Sequence, residues 1–154
     1  MKNKKYHEYI LKVLIKFNDK YNKNIILYYR PKCNRSNITF NEKQNKHCFE
    51  YGDRLIENSK LLKSNWKYQL NYVCLHEFGH IFHKTDKYET LQEKTIAEYK
   101  AERFALNRLK EYYPNTYKWV CAEGTKMLKD KKWAICNSEY HYRLAWLKIK
   151  EYIK

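Results

Sequence analysis

Between Lys4 and Tyr21 the side chains of Tyr6, Tyr9, Ile10, Val13, Leu14, Phe17 and Tyr21 recur every three or four residues. A helix with 3.6 residues per turn gathers them on one face, so this segment predicts an amphipathic helix. Asn22-Lys23-Asn24 breaks it. The pattern then changes. Ile25-Ile26-Leu27-Tyr28-Tyr29 is a short apolar run stopped by Pro31, as in a buried strand. Asn37–Phe40 and Cys48–Tyr51 predict two further short strands flanking the polar turn 41–46, and Gly52-Asp53 marks another turn. Arg54–Glu57 predicts one more strand, which would complete a small antiparallel sheet. Leu61–Trp66 fits neither period.

Helical spacing returns at Asn71–Lys84 and again at Leu91–Tyr112, the second ending before Pro114. Asn115–Lys129 and Ser138–Ile153 predict two further amphipathic helices. The chain has three Gly and two Pro, and no repeat or Gly/Ser linker, which implies an element-rich domain. At 154 residues, the expectation is one α+β domain over 1–154. Its order is an N-terminal helix, a small antiparallel sheet, a pair of packed helices and two C-terminal helices.

The first helix of that pair contains His76-Glu77-Phe78-Gly79-His80, an HExxH pentapeptide. Residues four apart on a helix lie one above the other, so both imidazoles can face one metal ion, with Glu77 beside them to take a proton from a metal-bound water. Residue frequencies here would produce this pattern about 0.02 times by chance. A catalytic zinc site needs a third protein ligand. Glu98, 18 residues after His80, is the candidate on the second helix. Glu102 shares its face and is placed to accept the free N–H of a ligating imidazole. Ala97, Ala101 and Ala105 keep one stripe of that helix slim, which allows close approach to the HExxH helix. Asp86, six residues after His80, is a rival third ligand. That layout calls for a sharp turn, usually at a glycine, where this chain has His83. His83, His141, Tyr140 and Tyr142 are the candidates to stabilise a developing oxyanion or line the cleft.

His76-Glu77-Phe78-Gly79-His80 followed by Glu98-x-x-Ala101-Glu102-x-Phe104-Ala105 resembles the ImmA/IrrE-type metallopeptidases, a branch of the gluzincins. The likeness covers about Asn71 to Leu109. Glu102 stands where that family has Asp or Asn, and Leu106-Asn107-Arg108-Leu109-Lys110 replaces its apolar continuation. The resemblance implies a minimal zincin domain. It also implies Zn²⁺ held by His76, His80 and Glu98, Glu77 as general base, and hydrolysis of a peptide bond in a specific regulatory protein of a phage or mobile element. Two alternatives stand beside it: a non-catalytic zincin-fold interaction module, and a protease acting on DNA-bound proteins.

Charge modifies this picture little. The chain carries 32 Lys and Arg against 17 Asp and Glu, a net +15. A nucleic-acid reader concentrates such charge in a stripe and favours Arg. Here Lys outnumbers Arg 26 to 6 and the excess is spread along the chain. The abundance of Lys, Asn, Tyr and Ile matches AT-rich codon usage, leaving weak, salt-sensitive nucleic-acid contact as the most the charge implies. Five cysteines without a CxxC pair predict reduced thiols. No apolar run approaches the length of a membrane span and no signal peptide is evident, so the expectation is a cytoplasmic protein with no membrane contact.

Overall fold

Three strands and six helices, an α+β arrangement, follow one another among the described residues (2–21, 23–83, 87–136 and 138–153) of the computed structural model. The chain divides into two compact units, Met1–Glu77 and Phe78–Lys154. The division falls inside one helix.

In the first unit, α1 spans Lys4–Tyr21 and buries Tyr6, Ile10, Val13, Leu14 and Phe17, one helical face. It lies on β1 (Ile25–Tyr29). Strands β2 (Asn37–Asn41) and β3 (Lys46–Tyr51) form a hairpin, yet the sheet order is β1-β3-β2. β3 is therefore central: antiparallel to β2, with Thr39 opposite Cys48, and parallel to β1, with Leu27 opposite Phe49. The sheet is mixed, which corrects the expected antiparallel sheet. Residues after β1 carry the chain to the far edge before the hairpin returns it to the middle. Alternation of side chains sets which face a strand buries and is blind to which strand lies beside it.

Gly52 ends β3. A methyl group there would meet the carbonyl oxygens of Cys33 at 2.4 Å and Arg30 at 2.5 Å, so only glycine lets the 30–33 turn close on it. The next segment is helix α2, Asp53–Leu61, and not the strand expected at Arg54–Glu57. Leu55, Ile56 and Ser59 are its buried residues, at helical spacing, and the Ser59 hydroxyl donates to the Leu55 carbonyl. Two adjacent apolar residues looked like a strand, but Gly52 had already turned the chain and the polar residues after Glu57 extend a helix. A 3₁₀ turn at Lys63–Asn65 leads into α3, Trp66–Ile81, which starts five residues before the expected Asn71. Tyr6 and Tyr9 set their rings edge-on to Trp66, and the Tyr9 hydroxyl donates to Asn71.

The second unit is helical. Thr90 caps α4 (Leu91–Tyr112) by accepting the Glu93 N–H while the Glu93 carboxylate accepts the Thr90 N–H, a reciprocal capping box. Pro114 opens α5 (Pro114–Lys129) in its first turn. Arg143 of α6 (Tyr140–Tyr152) donates to the carbonyls of Leu128, Asp130 and Trp133, covering the end of α5. Ala101, Ala105, Leu106, Leu109, Val120, Ala145, Trp146 and Ile149 are among this unit's buried apolar residues. No helix among the described residues is long and apolar enough to cross a membrane.

Candidate metal centre

Helix α3 buries Leu70, Cys74, Leu75, Phe78 and Ile81. That stripe leaves His76, Glu77 and His80 half-buried along its margin. Hydrogen bonds from Phe82 N–H to the Gly79 carbonyl and from His83 N–H to the His80 carbonyl tighten the helix end just beyond His80.

Gly79 has no room for a side chain. A methyl group there would lie 2.9 Å from the Ala101 carbonyl oxygen, 3.0 Å from the Ala101 Cα and 3.2 Å from the Phe104 Cβ of α4. The slim alanine stripe thus meets a glycine, and α3 and α4 touch backbone to backbone. Phe78, Phe82 and Phe104 pack around the junction, with Phe82 and Phe104 stacked at 5.0 Å. Glu98 stands one turn before Ala101 on α4 and is only 4% exposed. Its Oε1 lies 3.5 Å from His80 Nε2.

One donor atom each from His76, His80 and Glu98 lies within 4.8 Å of the others. Tetrahedral bonds of about 2.0–2.1 Å to zinc put neighbouring donors about 3.4 Å apart. The His80–Glu98 separation fits that spacing, and two imidazoles with one carboxylate are a donor set suited to zinc. A carboxylate buried to this degree is costly in its charged form, and a cation beside it would offset that cost.

Around these donors the structure brings a group that sequence reasoning missed. Tyr88, between α3 and α4, donates its hydroxyl to Glu98 Oε1 at 2.9 Å, and the Tyr88 hydroxyl oxygen also lies 2.9 Å from His141 Nε2. Burial raises the Tyr88 phenol pKa well above its ordinary value, and the Glu98 charge and hydrogen bond raise it further. His141, 3% exposed on α6, has its ring centroid 4.1 Å from that of Tyr142, the two rings tilted by 37°. The only sequence signal for Tyr88 was its position two residues before the Thr90 cap, which one tyrosine among 16 does not make conspicuous.

The other candidates fall as follows. Glu77 lies half-buried beside His76, and its charge adds to the burial that pushes the Cys74 thiol pKa up. Glu102 is buried one turn after Glu98, near enough to Cys121 for its charge to act on that thiol. Tyr142 joins the Tyr88 hydrogen bonds. Tyr140 is 38% exposed at the first residue of α6, and His83 sits in the turn after α3. Asp86 lies outside the described residues. No protein-family model, curated protein or solved structure matches the chain.

Proposed function

We propose that this chain is a zinc-dependent peptidase of minimal zincin type. His76, His80 and Glu98 would hold the metal and Glu77 would serve as general base. The observation that carries this reading is the convergence of two imidazoles one helical turn apart with a buried carboxylate from the next helix. Bound there, zinc supplies a Lewis acid and brings the pKa of a coordinated water toward 7. The protein's own part is positional and acid–base. Backbone contact at Gly79 and Ala101 fixes the spacing of α3 and α4, and with it the reach of Glu98. Glu77, next to His76, accepts the proton of the attacking water at its carboxylate and returns it to the departing amine.

The resemblance to ImmA/IrrE-type enzymes supports a protein substrate, of the class of a single regulatory partner. Zinc content and cleavage of a peptide library by wild type and Glu77→Gln test the reading. Wild type should hold one removable zinc per chain and cleave. Glu77→Gln should hold the same zinc and lose at least about 100-fold in rate. Equal cleavage by both proteins would refute Glu77 as base. One tightly held zinc whose removal unfolds the chain, with no cleavage, would mark a structural site instead.

A further inference from the structure

We propose that Tyr88 is a positioning residue of this metal centre, held in turn by His141, so that α6 helps set the geometry of a ligand on α4. The proposal rests on the metal-binding reading above. Its basis is a chain of hydrogen bonds with a fixed direction. The Tyr88 hydroxyl has one proton and donates it to Glu98 Oε1 at 2.9 Å. Its contact with His141 Nε2, also 2.9 Å, must then run the other way, with Nε2–H donating to the phenol oxygen. The order is His141 Nε2–H to Tyr88 Oη–H to Glu98 Oε1, and that carboxylate oxygen is the one facing His80 Nε2.

Each member is fixed from the side. His141 is 3% exposed, in tilted ring contact with Tyr142 and set edge-on to the Tyr88 ring at 87°. The Lys94 ammonium lies over the other aromatic neighbour's ring, that of Tyr88, at 5.8 Å. Tyr88 as a whole residue is 44% exposed, while its hydroxyl is held between Glu98 and His141. Glu98 has several rotamers available on a helix. A donor on Oε1 selects the one that points at His80. Groups that orient metal ligands in this way typically change metal affinity by about 10–100-fold when removed.

The experiment measures Zn²⁺ affinity of the full chain by competition with a chromophoric chelator, alongside the visible spectrum of the Co²⁺-substituted protein and the Tm of the metal-free protein. Wild type should bind one equivalent. Tyr88→Phe should bind about 10–100-fold more weakly, with a shifted Co²⁺ band and a metal-free Tm near that of wild type. His141→Phe, which removes the next donor, should weaken binding by about threefold to tenfold. Binding by Tyr88→Phe within twofold of wild type, with an unchanged Co²⁺ band, would overturn the proposal. If Tyr88→Phe does not fold, His141→Phe decides by the same two readouts, and unchanged affinity and spectrum overturn the proposal. Failure of wild type itself to bind Zn²⁺ would instead remove the metal centre, and the proposal with it, so the two failures are distinct.

Discussion

Among the described residues, a chain of histidine, tyrosine and acid occurs in each unit, and the two differ in what the acid faces. In the first unit His7 Nδ1 and the Tyr51 hydroxyl are 2.6 Å apart, the Tyr29 ring packs on both, and Tyr29 donates to Asp53. In the second, His141 and Tyr88 lead to Glu98. Asp53 is partly exposed in the first turn of α2, where a negative charge also suits the helix dipole. Glu98 is buried two turns inside α4, beyond the reach of that dipole, with an imidazole 3.5 Å away. A histidine–tyrosine pair is therefore common structural material. The burial of the carboxylate, and the donors grouped with it, separate a structural tie from a candidate site.

The sharpest way to break this comparison is to neutralise both acids. Glu98→Gln should weaken Zn²⁺ binding at least about 100-fold, since a ligand is lost and not merely its support. Asp53→Asn should leave affinity within about twofold. Chelator competition reads both. Equal losses would show that the two networks are not different in kind.

Next in size are the glycines that let each network form. Gly52→Ala drives a methyl group into two backbone carbonyls at 2.4 and 2.5 Å, neither of which can rotate away. Thermal or urea unfolding should show a loss of about 2–3 kcal/mol, in the range of overpacking. Gly79→Ala meets Ala101 backbone at 2.9 and 3.0 Å, a milder clash, and gains about 1 kcal/mol of helix propensity. A net loss of about 1 kcal/mol is expected. Its Zn²⁺ affinity should nonetheless fall about tenfold, because α4 moves outward with Glu98, whereas folded Gly52→Ala should bind as wild type does.

How much of this was legible in the sequence depended on whether the signal was local. The bounds of α1 and α4 followed from periodicity, whereas the Thr90–Glu93 cap that starts α4 came from the structure. His76 and His80 could be paired because helical spacing converts directly into a shared face, Glu98 was named from its separation of 18 residues from His80, and the alanine stripe was visible from its four-residue period; that Gly79 faces the stripe emerged only in the structure. The parallel pairing of β1 with β3 was not, since strand order is decided by contacts distant in sequence. The α2 segment misled because Leu55-Ile56 is too short to show a period. Tyr88 was hidden for another reason: its role lies in a loop, where no period exists to place a side chain.

The smaller effects test the first-unit network alone. Tyr51→Phe deletes the hydroxyl that bonds His7 while keeping the ring, so unfolding should show a loss of about 0.5–1.5 kcal/mol with Zn²⁺ affinity unchanged. The weakest expected signal is a pH dependence. Burial lowers the His7 pKa below its ordinary 6.5, against a smaller opposing pull from Asp53. Below 6.5 the unfolded chain takes up a proton that the folded chain resists, so the unfolded state gains as pH falls. Stability from this group is thus fully present above pH 6.5 and is lost as pH drops through the lowered folded value. His7→Gln should flatten that part of the stability–pH curve relative to wild type. Asp53→Asn, which removes the opposing charge, should steepen it. An unchanged curve in both variants would mean that His7 protonates as freely in the folded chain as in the unfolded one. The hydrogen bond to Tyr51 would then favour neither protonation state of His7, and its contribution would be read from Tyr51→Phe alone.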